Sequence, residues 1–207
     1  MIQFEFDGHK IEFDQVLAGF AWPTDEPGFS VVIGEQYLRK ATGDEVHYYN
    51  LGETENIKMD ALIQDTIRLR RKFEVQGVWG RSRETASKVL PSMNYLLSWN
   101  KRSRSRGGAE LFVGNADYTE PNGYIEFHCN LIRSMSMDDK KQLLLGTNSK
   151  LPTYLNDVPE DISQLTDINF PAVAALGYVL ATLEAHRGSR HEDLMAEKLT
   201  EEYHGDG

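Results

Sequence analysis

Cysteine is almost absent from this 207-residue chain, because Cys129 is the only one. A single cysteine excludes an internal disulfide and leaves no second thiol for a structural zinc site of the CxxC kind. We therefore predict a buried, unreactive thiol at this position. A reducing cytoplasm is the compartment that such a composition indicates.

Long hydrophobic runs are lacking as well. The most apolar stretch, residues 170–183, is too short and too rich in Ala and Gly to span a bilayer. The first ten residues also lack the basic and then apolar pattern of a signal peptide. We expect a soluble globular protein without a membrane segment, whose 40% apolar residues suffice for a substantial core.

Three familiar catalytic patterns are missing from the sequence. It contains no GxxxxGK[ST] phosphate loop, no GxSxG nucleophile turn and no HExxH zinc motif. His128 precedes Cys129 directly, but a pair of this kind indicates incidental packing more often than a metal site. These absences exclude a P-loop ATPase and argue against an α/β-hydrolase or a zinc peptidase.

Positive charge is scarce overall but concentrated in one segment. The chain carries a formal charge of −10, whereas residues 68–106 contain eleven Lys and Arg side chains against two Glu. Clustered cations neutralise phosphates and release counterions, so this reversal favours a nucleic-acid surface. The alternative is a solvated helix face followed by a mobile basic loop at residues 101–108. We assign the DNA contacts to Arg81, Arg83, Lys101, Arg102, Arg104 and Arg106.

The first third of the chain has the pattern of β-strands. Three segments rich in Val, Ile, Tyr and Phe, at residues 16–22, 29–38 and 45–52, are separated by turns rich in Pro, Gly and Asp. They predict an antiparallel meander. Apolar residues then recur at steps of three and four, which predicts an amphipathic helix over Lys58 to Phe73. Residues 75–80 follow as a short strand that could run parallel to the first.

The rest of the chain alternates helices and connections. The patterns predict helices from about Ser82, over 124–134, over 138–145 and over 170–187, with a strand at 109–113 and irregular segments elsewhere. Pro171 suits the first turn of the last helix, and Gly188 suits its end. We predict one domain over residues 1–188 and a polar C-terminal tail over residues 189–207.

Six segments follow one another along the chain: VLAGFAW, FSVVIGEQYL, EVHYYNLG, LIQDTIRLRRKF, VQGVWG and DINFPAVAALGYVLATLEA. Their order resembles that of the nuclease domain of tailed-phage large terminase subunits. The resemblance covers about Gln15 to Arg187. It implies an α/β, ribonuclease H-like fold with a mixed sheet whose first three strands are antiparallel and which helices flank. It also implies DNA cleavage by two Mg²⁺ or Mn²⁺ ions held among carboxylates.

The resemblance places acids on the first strand, after the fourth strand and in the last helix, and the sequence departs from it at each place. The first strand reads GFAW, and its nearest acids are Asp25 and Glu26 in the following turn. Glu84 is the nearest acid after the fourth strand, and Asp167 lies upstream of the last helix. We name Asp25, Glu26 and Asp167 as catalytic candidates and Asp167 and Glu84 as metal ligands, with Asp117 as a further candidate.

Each of these acids also has a structural interpretation. Asp25 and Glu26 suit a turn beside Pro and Gly, and Asp167 suits the positive end of a helix dipole. Two hypotheses therefore stay open: a terminase-like domain for DNA packaging or processing whose metal site is degenerate, or an active two-metal DNA endonuclease of the same fold. Expected partners are DNA and a separate ATPase or other packaging proteins, in the cytoplasm of a phage-infected cell.

Overall fold

The computed structural model describes residues 2–23, 25–40, 43, 45–80, 89–115, 124–136, 142–159, 161 and 170–204. These residues form an N-terminal hairpin, a mixed sheet and helices on both faces of the sheet. The strands are β1 (Ile2–Phe6), β2 (His9–Phe13), β3 (Gln15–Ala21), β4 (Gly28–Leu38), β5 (Glu45–Asn56), β6 (Gly77–Gly80), β7 (Gly114–Asn115) and β8 (Leu143–Leu145). The helices are α1 (Met59–Lys72), α2 (Val89–Ser105), α3 (Tyr124–Ser136), α4 (Leu151–Asn156) and α5 (Pro171–His204).

The main sheet has the strand order β7-β6-β3-β4-β5-β8 within the described part of the chain. Strand β4 is antiparallel to both β3 and β5, which confirms the predicted meander. Strand β6 lies parallel to β3, β7 parallel to β6, and β8 parallel to β5. The carboxyl ends of β3, β5 and β6 therefore meet at one end of the sheet.

Alternate residues of the strands build two separate cores. One face of β3 presents Leu17 and Ala21 to α3, α4 and α5, whereas the other presents Val16 and Phe20 to α1 and α2. This follows from the two-residue period of a strand. The predicted amphipathic helix is confirmed as α1, whose buried residues are Leu62, Ile63, Thr66 and Ile67.

Helix α5 is the central element of one face. Every residue from Pro171 to Leu183 is buried, so this stretch is apolar all round, as a helix between a sheet and other helices must be. Farther along, the Tyr48 hydroxyl donates a hydrogen bond to Glu184, and burial raises the pKa of Tyr48. The predicted buried thiol also lies on this face: Cys129 of α3 is buried, and burial raises its pKa.

The N-terminal hairpin was not predicted from the sequence. Ile2, Phe4 and Phe6 alternate with polar residues, and Asp7 and Gly8 both have positive φ (45° and 83°) at the two-residue turn. Asp-Gly between alternating apolar residues is a strong hairpin signal, because both turn positions need the left-handed region. The hairpin covers the α1 face, where Phe4 packs edge-on against Phe73 with ring centroids 5.4 Å apart.

Several predicted elements differ from the structure. Lys101 to Ser105 are the last turns of α2 rather than a mobile loop, and residues 109–113 are not a strand. Residues 143–145 form β8 instead of a helix, because pairing with Tyr48–Asn50 overrides an apolar run without clear period. Helix α4 lies in a segment predicted to be irregular, and α5 continues through Gly188. A helical Gly costs only about 1 kcal/mol, which the surrounding helix formers offset.

The predicted start of the second helix near Ser82 lies outside the described residues. Within them, no helix is both long enough and apolar enough to cross a membrane.

Candidate active site

The resemblance places a nuclease site at the end of the sheet where β3 and β6 finish and α5 begins. Gly19 of β3 faces α5, because it lies on the same side of the strand as Leu17 and Ala21, which belong to the core on that side. A Cβ added at Gly19 would lie 1.8 Å from the backbone carbonyl oxygen of Ala175. Backbone packs here directly against backbone, so a carboxylate side chain at this position has no space.

The small residues of α5 explain this close approach. Ala172 and Ala175 are three positions apart and so share one face of the helix. Val179, one turn farther along, is the next residue over the strand, 3.3 Å from an added Cβ at Gly19. Gly in the strand and Ala in the helix together let the two backbones touch, as Gly in a strand often marks a close backbone approach.

The end of β6 is equally closed. A Cβ at Gly80 would lie 2.3 Å from the carbonyl oxygen of Phe20 and 3.1 Å from Val113. The acid predicted to follow this strand, Glu84, lies outside the described residues, as do Asp117 and Asp167. The described residues of β3 and β6 therefore include no acid, and Gly19 and Gly80 leave no room for one.

A cavity of about 260 Å³ lies at the same end of the sheet, toward β4 and β5. Glu26, in the turn between β3 and β4, lines it, whereas Asp25 does not. Glu55 at the end of β5 and Asp157 after α4 supply two further carboxylates. The remaining walls are Pro27, Phe29, Tyr154, Phe170, Pro171, Ala172 and Val173.

The carboxylates of β5 are occupied by contacts with α4. Glu55 accepts hydrogen bonds from Lys150 Nζ (2.6 Å) and from the Tyr154 hydroxyl, and the hydrogen bond from Lys150 is the main cause of its lowered pKa. Burial and the Glu55 carboxylate raise the pKa of Tyr154 to about 12. Glu53 accepts hydrogen bonds from Ser149 Oγ (2.9 Å) and from the Lys150 backbone N–H at the start of α4.

These residues do not fit a two-metal centre. Two divalent ions need several convergent oxygen ligands, and among the described residues no group of three His, Cys, Asp or Glu side chains could hold a metal ion. Glu55 already neutralises Lys150, and the described sheet residues packed against α5 are Gly19 and apolar residues such as Leu17 and Ala21. The described donor set thus supports no step that passes through bound Mg²⁺ or Mn²⁺.

The predicted nucleic-acid residues lie at the carboxyl end of α2. Lys101, Arg102 and Arg104 occupy its last turns, and Arg106 follows them; all four are exposed. The helix ends at Ser105, and Gly107, two residues farther on, has a φ of 67°. The Gly108 N–H donates to the Ser103 carbonyl (2.8 Å) and the Gly107 N–H to the Arg104 carbonyl (3.0 Å), which is a Schellman motif. Cations here also complement the negative end of the helix dipole.

The chain that leaves this turn is held along α2. Asn100 is buried and makes two hydrogen bonds with the Leu111 backbone: its Nδ2 donates to the carbonyl (2.7 Å), and its Oδ1 accepts from the N–H (3.0 Å). Ser103 Oγ donates to the Ala109 carbonyl (2.6 Å). The basic segment is therefore an ordered part of the fold.

One of the four cations is paired within the chain. Arg104 Nε and Nη2 donate to the two carboxylate oxygens of Glu110 at 2.8 and 2.5 Å. The pair lowers the pKa of Glu110, and both groups lie at the surface. We refer to Lys101, Arg102, Arg104 and Arg106 as the basic surface; the other two predicted DNA contacts, Arg81 and Arg83, lie outside the described residues.

Sequence reasoning missed Glu53, Glu55, Asp157 and Glu110. The first two are spaced by two residues on a strand, which places them on the same face, and this spacing was the available signal. Their partners Ser149, Lys150 and Tyr154, just before and within α4, lie almost a hundred residues away in the chain. No local pattern connects Glu55 with Lys150.

The strand order, the antiparallel β4 and the helix α5 packed across β3 define a ribonuclease H-like α/β fold. Among solved structures, the large terminase from a thermophilic bacteriophage is similar, with a TM-score of 0.52 and 14% identity over 83% of this chain. The complex of that terminase with ADP gives a TM-score of 0.50 and 14% identity over 82% of the chain. In both comparisons this chain spans 40% of the terminase's length.

A further solved structure, the yeast mitochondrial Holliday junction resolvase Ydc2, matches with a TM-score of 0.39 and 13% identity over 88% of this chain and 87% of the resolvase. No protein-family model matches the sequence, and no curated protein is similar enough in sequence to match it. The predicted ribonuclease H-like fold and its resemblance to the large terminases are confirmed. At this level of identity, the similarity establishes the fold alone.

Proposed function

We propose that this chain is a terminase-like, ribonuclease H-fold domain that binds DNA during phage DNA packaging or processing and has a degenerate metal site. The observation that carries the proposal is the Ala175 carbonyl, which occupies the space into which an acid at Gly19 of β3 would project. The basic surface on α2 supports a binding role, because surface cations bind phosphates without any catalytic metal. The packaging role and a separate ATPase partner, both in the cytoplasm of an infected cell, are parts of this proposal.

An active Mg²⁺- or Mn²⁺-dependent endonuclease is the second candidate. The position of Glu26 favours it, because this acid lines a cavity beside the first turn of α5, at the end of the sheet where a nuclease site belongs. In that case Asp167 and Glu84 would hold the metal with Glu26 or Asp25. The two candidates predict opposite results for metal binding and cleavage.

The first experiment measures DNA affinity as a function of salt concentration. We compare the wild type with a triple variant, Lys101→Ala, Arg102→Ala and Arg106→Ala, and with a matched control in which the exposed Lys10, Lys58 and Arg133 become Ala. Each lost phosphate contact lowers the slope of log affinity against log salt by about 0.9 on B-form DNA. We expect a decrease of about 2 to 3 for the triple variant and little change for the control.

Equal slopes for the wild type and the triple variant would contradict a role for the basic surface. A plasmid-nicking assay with Mn²⁺, run beside calorimetric titration of Mg²⁺ and Mn²⁺, tests the second candidate. We expect neither nicking nor tight metal binding. Nicking together with tight binding that Asp167→Ala abolishes would establish the endonuclease instead.

A further inference from the structure

Two aromatic side chains close in sequence to the basic surface are exposed, although each directly adjoins a buried leucine, Leu96 or Leu111. Phe112 is 64% exposed and Tyr95 is 37% exposed, while Trp99 packs against the core between the sheet and α1. Leu97, on the same helix as Tyr95, is 62% exposed. Exposed apolar side chains that cluster on a surface often mark an interaction site. Tyr95, Leu97 and Phe112 therefore indicate such a site close to the basic surface.

The backbone that carries Phe112 is fixed by the fold. The contacts of Ser103 with Ala109 and of Asn100 with Leu111 show that residues 109–111 run back along α2. Leu111 is completely buried in the core, and the segment is not helical. Phe112, the next residue, is exposed, and Glu110, two residues before it, pairs with Arg104 of the basic surface.

Tyr95 is connected to the same surface through Arg102. The Arg102 guanidinium lies 5.7 Å from the centre of the Tyr95 ring, within the range of a cation–π contact. A hydrogen bond to Asp60 of α1 raises the pKa of the Tyr95 hydroxyl and connects the ring to that helix. The cation and the aromatic ring are thus presented together, in an orientation set before any ligand arrives.

We propose that this surface binds unpaired nucleotides, with Phe112 stacking on a base while Lys101 and Arg106 contact the adjacent phosphates. The inference rests on the proposed DNA-binding function and specifies the form of DNA. A basic surface alone suits a duplex, but a duplex keeps its bases stacked and offers only phosphates to it. Exposed aromatic rings next to cations are the combination by which proteins bind single strands without sequence readout.

The test compares a fluorescent oligo(dT) with a duplex of the same length, each titrated at several salt concentrations. Phe112→Ala should weaken single-strand binding about tenfold and leave duplex affinity and both salt slopes unchanged. Phe127→Ala is the matched control, because Phe127 is also exposed (48%) but lies on α3, which packs on the other face of the sheet. Phe112→Trp should keep the affinity, and its indole fluorescence should fall on addition of oligo(dT).

The outcomes separate this inference from the proposed function. If the wild type binds duplex but Phe112→Ala binds oligo(dT) as tightly as the wild type does, the inference is wrong and DNA binding stands. Equal weakening of duplex and single strand by Phe112→Ala would also overturn it. Absence of binding to either form would overturn both and would favour a protein partner for Leu97 and Phe112.

Discussion

The two faces of the central sheet are built in different ways. On one face α5 lies so close to β3 that Gly19 meets the backbone of Ala175, and thirteen consecutive helical residues are buried. On the other face α1 and α2 are half-exposed and carry cations near their carboxyl ends. A two-metal nuclease would need an open, acidic site at the closely packed face. The clustered positive charge of this acidic chain lies instead on the open face, in the last turns of α1 and α2, a position that suits phosphate binding.

The largest expected effect comes from opening the closely packed face. We expect Gly19→Ala and Gly19→Asp to destabilise the protein by about 3 kcal/mol or more, because the new Cβ overlaps backbone atoms that cannot rotate away. Gly146→Ala is the control, since the nearest atom to its added Cβ is 3.5 Å away. Urea unfolding gives the free energy of unfolding of the two Gly19 variants and of the control. A Gly19→Ala variant within about 1 kcal/mol of the control would mean that α5 can move aside and that this face can accommodate an acid.

A smaller effect is expected at the basic surface. Glu110→Gln removes the charge that neutralises Arg104, so one more cation becomes available to phosphate. We expect DNA affinity to rise about threefold and the salt slope to become steeper by up to about 0.9. The measurement is the same salt titration, repeated in an Arg104→Ala background. If Glu110→Gln raises affinity equally in that background, the effect comes from net charge and not from release of Arg104.

The smallest effect concerns the link between β5 and α4. The pKa of Tyr154 is raised to about 12 in the folded protein, against an ordinary value of 10.0. Burial, and after it the hydrogen bond to Glu55, favours the protonated hydroxyl, so this contribution to stability is fully present below about pH 10 and is lost as the pH rises toward 12. We expect Tyr154→Phe to cost about 0.5 kcal/mol at pH 7, a modest value because the site is partly exposed.

The cost of Tyr154→Phe should disappear near pH 12. Unfolding free energies of wild type and variant, measured at pH 7 and at several values above 10, test this expectation. A difference that stays constant across this range would show that the hydroxyl does not depend on the Glu55 carboxylate. The same comparison in a Glu55→Gln background serves as its control.

Elements defined by local patterns could be predicted well. The apolar strand segments of residues 16–52 belong to a sheet that is largely buried on both faces, and the three- and four-residue steps of α1 arise because that helix buries one side, so the sequence shows both directly. The prediction for β8 was wrong because three Leu residues carry no period, and only β5 makes them a strand. Glu110 was not recognised because its role depends on its pairing with Arg104, which was expected to contact DNA.

The amino-acid sequence by itself determined the strand meander, the buried α5 and the reversal of charge, because these depend on composition and on residues a few positions apart. Tertiary structure alone decided which distant residues contact one another. The contact of Gly19 with Ala175 joins residues separated by most of the chain, and the bond of Glu55 with Tyr154 spans nearly half of it. Such contacts depend on how the helices pack across the sheet, and packing depends on the combined shape of many side chains, which no local pattern encodes.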